Sequence, residues 1–422
     1  MDALLVIAGF FALLAFGVPI AVSLIVSALG YILFMTDIPV IIVAQQALAG
    51  TDAFTLMAVP YFIVAGALMQ AAGISTRIVA LARSLVGWMP GGLAVVTILA
   101  SMFFATMTGA GAATTAAVGG MMIPAMVKDG YHRGYASALQ ASAGVFGPIL
   151  PPSVLMILYA VAAEVSVGDM LIAGIIPGLL IGVVMIGFVM IQSQRMKFGT
   201  REPFSPRNAG RSFVQSFWAL LAPVVILGGI YSGIFTPTEA AAVGCFYSLI
   251  VGVFIYREID VKKLLTTLFE SFKIAAGIML IVGATQAFGW VLTREGLPQA
   301  AASFFTENVT SPTLFLLIAV VLFLAAGCFI DAVPNVLIFA PILTPVASAY
   351  GIDLIHFGVI MVVAFCAGLL TPPVGVNLFV ASEVGNTPLR VMIPYVWPFF
   401  GVIVATILLL ALVPWFSLAL IP

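Results

Sequence analysis

Residues 147–153 read Gly147-Pro148-Ile149-Leu150-Pro151-Pro152-Ser153, and residues 368–374 read Gly368-Leu369-Leu370-Thr371-Pro372-Pro373-Val374. Each stretch interrupts a long apolar run. Proline lacks the backbone donor a helix interior needs and clashes with the preceding turn, so no regular helix passes through a Pro-Pro pair. Segments 134–148 and 152–163 therefore read as two halves of one broken helix, and 355–368 and 374–382 as two halves of another. The two breaks stand 221 positions apart. The same offset, without a gap, lays Pro124 on Pro345 and Gly130 on Gly351. Upstream, Gly73 corresponds to Gly296 at an offset of 223, and Pro19 to Pro237 at 218. Helix breakers matched in order at constant spacing indicate an internal repeat.

Around these breaks the chain is apolar almost throughout. Of 422 residues, 63% are hydrophobic and 7% charged, with a mean hydropathy of +1.25. A soluble domain is roughly half apolar and about a quarter charged. A globule of this length could neither bury so much apolar surface nor wet its exterior with so few charges. Only helices or closed barrels satisfy the backbone in lipid, and the runs here have helix length rather than the short alternation of barrel strands. The fold class is an all-α polytopic membrane protein. Fifteen Lys and Arg against sixteen Asp and Glu leave a net charge of −1, which offers no basic face for nucleic acid. Cys245, Cys328 and Cys366 lie far apart in apolar runs, unlike a zinc site or redox pair. The first basic residue is Arg77, so no basic n-region of a secretory signal is visible.

Apolar segments fall at 3–16, 20–36, 54–71, 92–107, 112–127, 134–148, 152–163 and 170–194. After a polar stretch they resume at 214–234, 238–256, 275–292, 313–328, 332–348, 355–368, 374–382 and 391–420. Segments 92–107 and 112–127 are each about 16 residues, roughly 24 Å of helix against a ~30 Å hydrocarbon core. They meet at Thr108-Gly109-Ala110-Gly111, and the pair reads as a re-entrant hairpin over 92–127. The pair 313–348, with Ile330-Asp331 at its tip, reads the same way. With hairpins not crossing, each broken helix crossing once and the 195–213 linker in the cytoplasm, fourteen of fifteen basic residues fall inside; Arg294 is left outside. That is the bias the positive-inside rule requires. Residues 3–36, with Gly17-Val18-Pro19 in the middle, cross twice or lie partly along the interface. Each half, 1–194 and 214–422, then crosses about five times, an odd number, so the second copy is upside down. Inverted-topology repeats characterise secondary transporters, whose sites lie near the midplane at discontinuous helices.

Broken helices leave carbonyls and amides without intrahelical partners, costly in lipid unless satisfied. Carbonyl and hydroxyl oxygens suit a hard cation such as Na⁺, and half-helix N-termini suit an anionic group. Thr106, Thr108, Gly147, Leu150 and Ser153 are candidate cation ligands in the first half. Gly327, Ile330, Gly368, Thr371 and Val374 are their counterparts in the second. An acid at a membrane-depth tip is expensive and faces an aqueous cavity or a partner. Asp331 is therefore the sharpest substrate candidate, with a structural hydrogen bond to Asn335 as the competing role. Asn377 follows the second break and reaches toward the same cavity. Glu239, in Thr236-Pro237-Thr238-Glu239, reads as a helix N-terminal carboxylate. His132 and His356 read as surface histidines. Arg77 and Arg83, with apolar residues between them, mark an amphipathic arm on the cytoplasmic surface. There is no GxSxG elbow, HExxH helix or Walker A loop, so the chain reads as no enzyme and has no visible means of hydrolysing ATP.

At this point the sequence resembles a known family, the large DctM-like membrane subunit of tripartite ATP-independent periplasmic (TRAP) transporters. The resemblance covers essentially the whole chain. It is carried by 147–153 followed by Tyr159, by Ala173-Gly174-Ile175-Ile176-Pro177-Gly178, and by Phe235-Thr236-Pro237-Thr238-Glu239 with Ala240-Ala241-Ala242. Gly351-Ile352-Asp353 with His356-Phe357-Gly358, and Gly368 through Val374-Gly375, complete it. The resemblance implies a bacterial inner-membrane, multi-pass elevator-type transporter. Such proteins work with a small four-helix membrane subunit and a periplasmic substrate-binding protein, and import an organic acid, of C4-dicarboxylate or sialic acid type, with Na⁺. It maps cation sites onto the Thr108-Gly109 tip with Gly147, Leu150 and Pro151, and onto Gly327 and Ile330 with Gly368, Thr371 and Val374. It maps the substrate-cavity acid onto Asp331, with Asn335, Asn377 and Ser153 completing the substrate set. The family's first tip often reads Ser-Gly-Ser-Ser, whereas here it is Thr108-Gly109-Ala110-Gly111, so backbone carbonyls must serve where two hydroxyls are missing. The alternative is a stand-alone ion-coupled carboxylate or anion transporter that needs no binding protein.

Overall fold

The computed structural model describes residues 2–196 and 203–421. In chain order the helices are α1 (Asp2–Ala15), α2 (Ile20–Met35), α3 (Ile41–Thr51), α4 (Ala58–Ala71) and α5 (Ile74–Val86), then α6 (Gly92–Thr108), α7 (Gly111–Lys128), α8 (Arg133–Ala143), α9 (Val154–Ala162), α10 (Val167–Ala173) and α11 (Ile175–Met196). There follow α12 (Pro206–Tyr231), α13 (Pro237–Ile250), α14 (Val261–Arg294), α15 (Leu297–Asn308), α16 (Pro312–Phe329), α17 (Ala332–Ala349), α18 (Leu354–Gly368), α19 (Val376–Val384) and α20 (Leu389–Leu412). No strand occurs among the described residues. Eight helical stretches there are long and apolar enough to cross a membrane. The side chains they leave outward, such as Phe246, Phe254, Phe269 and Val214, are apolar and exposed, as a lipid-facing surface requires.

The order of elements recurs. Helix α4 turns at Gly73 into the amphipathic α5, and α14 turns at Gly296 into α15; both glycines are left-handed, at φ 68° and 72°. Each arm leads into a helix pair, α6–α7 and α16–α17, and each pair into a broken helix, α8–α9 and α18–α19. The two breaks are non-helical where the Pro-Pro pairs stand. Helices α2, α3, α4 and α14 pack together with α12 and α13 as one layer. The helix pairs and broken helices, with α11 and α20, form a second. Within it the halves interlock: α7 packs on α19 of the other half, and α17 on α9.

Several elements depart from the sequence expectation. Helices α3 and α15 were not anticipated, because their polar residues (Gln45, Gln46, Gln299, Glu307) dilute the apolar signal. Helix α14 runs 34 residues rather than starting at 275, because its first turns carry Lys262, Lys263 and Glu270 and project beyond the apolar stretch. The linker expected over 195–213 is shorter at its C-terminal side. Ser205 accepts from Asn208 N and Pro206 takes the first helical position, a start signal the polar composition concealed. Lys197 and Arg201 lie outside the described residues. Helices α16 and α17 have 18 residues each, two and one more than expected, so length alone does not stop them from crossing. His356, expected at the surface, is 2% exposed, because α18 is enclosed on every side from 356 to 368. The capping box at Thr236 and Glu239 is present as read.

Polar contacts hold distant basic segments together. The Arg77 guanidinium meets Glu258 at 3.4 Å and lies 3.8 Å from the Tyr256 ring centroid. Arg133 donates to the Asn386 carbonyl at 3.4 Å. Arg83 and Arg211 line one groove between α5 and α12. Each contact joins segments that the charge bias places on the same side of the membrane.

In the second half the tip crosses the break at glycine on glycine. A Cβ on Gly368 would lie 2.6 Å from Gly327 Cα, whereas one on Gly289 meets nothing within 4 Å. Gly368→Val should therefore cost about 1–3 kcal/mol of packing strain and lower the melting temperature of the purified protein by a few degrees. Gly289→Ala, measured beside it in the same detergent, should not lower it. Equal melting temperatures would show that the crossing is looser than described.

Candidate functional site

A cavity of about 430 Å³ opens between the two layers. One wall is a stripe of α4 (Ile63, Gly66, Ala67, Gln70) and a stripe of α14 (Ser271, Ile274, Ile278, Ile281). Both stripes follow helical spacing, so each helix turns a single face to the cavity. The opposite wall is made of helix beginnings: Gly111 of α7, Val154 of α9, Ala332 of α17 and Val376 with Asn377 of α19. Every one of the four starts at an interruption that the sequence marks with Gly, Pro or Asp. Their first turns and positive dipole ends border one space, although Met156 N of α9 is already taken by Ser153 Oγ. Asp331 also lines it, and no Lys or Arg does among the described residues.

The first tip closes by hydroxyl contacts. Thr108 Oγ1 and Thr114 Oγ1 are 3.0 Å apart, and Thr114 Oγ1 also donates to the Ala110 carbonyl at 3.0 Å. Thr114 thus supplies, one turn into α7, a hydroxyl that positions 110 and 111 lack. Gly109 is left-handed at φ 61°, and a side chain on it would come within 2.6 Å of the Pro152 carbonyl. Gly147 faces the backbone of Ala110 and Gly111 as closely. The tip therefore lies in the first break, and the carbonyls of Gly147, Leu150 and Pro151 take no backbone donor among the described residues. On its other side the tip rests on α4, where a Cβ at Gly66 would stand 2.9 Å from the Met107 carbonyl.

The second tip meets the second break likewise. Val374 N donates to the Cys328 carbonyl at 3.1 Å, Thr371 Oγ1 donates to Gly368 O at 2.7 Å, and Cys328 Sγ donates to Thr371 Oγ1 at 3.0 Å. Gly327, Gly368, Thr371 and Val374 are brought together as the sequence reading supposed, with Ile330 at the end of the tip. Cys328 joins them. Sequence reasoning treated it as a packed thiol, and its place three residues before Asp331 was the available signal.

Three candidates sit differently from the expectation, and a fourth, Asn377, lines the cavity as expected. Thr106 lies two residues from Thr108, about 200° around the helix, and its hydroxyl bonds back to the Phe103 carbonyl at 2.7 Å. Ser153 is the N-cap of α9, accepting from Met156 N at 3.2 Å and donating to the Pro148 carbonyl at 2.5 Å. Both its bonding directions are used inside the break, and it does not line the cavity. Asn335 is fully buried behind the tip and donates to Ile330 O at 2.9 Å, holding the tip's shape. Its side chain does not reach Asp331; only its backbone N donates to the Asp331 carbonyl, at 3.3 Å. Asn377 does line the cavity, but it reaches across to the first half, close to Gly111 and Gly144. Chemically, the tips and breaks offer neutral oxygens suited to a hard monovalent cation. Three or more His, Cys, Asp or Glu side chains gather nowhere among the described residues.

Comparison with known proteins places this architecture. A family profile described as "Tripartite ATP-independent periplasmic transporter, DctM component" matches residues 7–416. The chain is 41% identical over 370 residues to the C4-dicarboxylate TRAP transporter large permease protein DctM of Pseudomonas aeruginosa, covering 88% of this chain and 87% of that protein. It is 38% identical over 412 residues to the sialic acid TRAP transporter large permease protein SiaM of Vibrio cholerae, covering 98% and 96%. Among solved structures, the Alcanivorax borkumensis YdaH transporter superimposes with a TM-score of 0.65 at 15% identity, over 90% of this chain and 88% of that one. That likeness speaks for the fold alone.

Cys328 offers a direct probe of the second tip. In a protein with Cys245 and Cys366 replaced by Ser and Ala, an ion held by Thr371 and the Gly368 carbonyl would tighten the tip on the break, so Na⁺ in place of choline should slow alkylation of Cys328 severalfold if this is a cation site. Equal rates in the two salts would remove this tip from the candidate cation sites.

Proposed function

The chain belongs to the DctM family of TRAP transporters, and we propose that it is the membrane-embedded carrier through which such a system imports an organic acid with Na⁺. It is a transport permease of the bacterial inner membrane, not an enzyme. The observation that carries the reading is the convergence of four helix N-termini on one cavity whose other wall is α4 and α14. An anion is favoured at such termini without any basic side chain. Asp331 at the rim demands either a donor on the substrate or a nearby cation, which suits a hydroxylated or polar acid bound together with Na⁺.

Three further features belong to this reading. Helix pairs α6–α7 and α16–α17 act as re-entrant hairpins: their tips lodge in helix breaks, and such breaks lie at mid-depth in transporters built from inverted repeats. The second half is the inverted copy of the first, supported by the recurring order of elements. The layer of hairpins and broken helices moves as a body against the α4–α14 wall, carrying substrate and ions across in an elevator motion. Na⁺ occupies the two tip–break contacts. Substrate arrives from a periplasmic binding protein, and a small four-helix subunit flanks the stationary layer. A stand-alone carrier of the same fold would need neither partner; the relatives named as TRAP large permeases favour the assembled system.

The test is uptake in proteoliposomes holding the complete system. Asp331→Asn should reduce organic-acid uptake to background while leaving the protein folded and assembled; near-normal kinetics would remove Asp331 from the site. Thr108→Val should raise the Na⁺ concentration for half-maximal uptake severalfold with little change in maximal rate. An unchanged Na⁺ dependence would strike Thr108 from the ligands.

A further inference from the structure

Two fully buried side-chain oxygens meet where the halves of the protein cross, and neither has a hydrogen-bond partner. Thr115 Oγ1 lies in the second turn of α7, and Asn377 Oδ1 in the first turn of α19. Both residues are 0% exposed. Gly144, at the C-terminal end of α8, brings them to one point. A Cβ placed on it would collide with Thr115 Oγ1 and would stand 2.9 Å from Asn377 Nδ2 and 3.1 Å from the Gly111 carbonyl. From the other side, a Cβ on Gly111 would stand 3.0 Å from Asn377 Oδ1 and 3.1 Å from the Gly144 carbonyl. Two unpartnered oxygens and two backbone carbonyls, of which Gly144 O also accepts from Gly147 N at 3.1 Å, therefore gather at a close crossing that only glycine permits. Asn377 is held in place by its amide nitrogen, which donates to the Ala141 carbonyl at 3.4 Å.

Leaving two acceptors unsatisfied at full burial costs about 1–3 kcal/mol each, so their joint presence calls for a ligand with positive charge or protons to offer. All four atoms are oxygens, the preference of a hard cation. None carries a formal charge, which selects a monovalent over a divalent ion. The carbonyls at the C-terminal end of α8 add the negative end of a helix dipole. We infer that Thr115, Asn377 and the carbonyls of Gly111 and Gly144 form a monovalent-cation site that joins the two halves, separate from the two tip–break contacts. Asn377 also lines the central cavity, opposite the α4–α14 wall. An ion here places positive charge beneath the bound acid, in a cavity whose described lining has no basic residue. That role rests on the transport reading above; the site itself does not.

Equilibrium binding of radioactive Na⁺ to the purified full-length protein tests this. Thr115→Val should bind about one Na⁺ fewer per chain than the wild type, and Thr115→Ser should keep the full complement. Asn377→Asp, which adds a full charge to the same ligand position, should tighten one Na⁺ by about tenfold. Melting temperature in choline reports folding; should Thr115→Val fail to fold, the Asn377→Asp and Thr115→Ser arms still decide. If Thr115→Val binds as many ions as the wild type, or Asn377→Asp leaves Na⁺ affinity unchanged, the space holds water and the inference is wrong. A wild type that binds no Na⁺ at all would instead overturn the Na⁺-coupled reading of the whole protein, so the two failures are distinct.

Discussion

A backbone that leaves its helix inside a membrane must find new partners for its amides and carbonyls, because lipid supplies none. That constraint organises this molecule. Each Pro-Pro break frees backbone groups, and each is covered by the tip of a helix pair whose own end is equally in need. Gly109, Gly147, Gly327 and Gly368 stand where the covering is tightest, and a Cβ at any of them would meet backbone. The fit is close because the groups on both sides have no alternative partner.

The same geometry sets the electrostatics. Four helix beginnings open onto one cavity, which gives an anion-favouring space without basic side chains. Basic residues cluster instead at the periphery, in Arg77 on Glu258 and in the Arg83–Arg211 groove. Asp331 works against an anion, and in the proposed cycle bound cations offset it. A carrier with this arrangement has reason to couple substrate to ions, since the empty cavity has little fixed positive charge of its own.

Much of this was legible in the sequence, for a definite reason. Helix breakers in long apolar runs are loud signals, so the breaks, the tips and their repetition could be read from Gly147 to Pro152 and from Gly368 to Pro373. Elements diluted by polar residues were silent: α3, α15 and the first turns of α12 and α14. Residue roles were harder than residue positions. Ser153, Asn335 and Thr106 are polar residues close to the breaks, but sequence does not reveal which way a hydroxyl or amide turns. Each proves to bond its own local backbone. Thr115 draws no notice in the sequence and Cys328 reads there as a packed thiol, because a hydroxyl or thiol inside an apolar helix looks like packing until the opposite element is seen.

The central claim is that the tips and breaks wall an aqueous site that opens to each side of the membrane in turn. Single cysteines at Ala112 and Val333, both half-buried at the cavity, test it in oriented vesicles holding the complete transporter and a membrane-impermeant thiol reagent. The account predicts labelling of both positions from one side under one ion condition and from the other side under another. Positions that react from neither side under any condition, or from both sides at once, would contradict it.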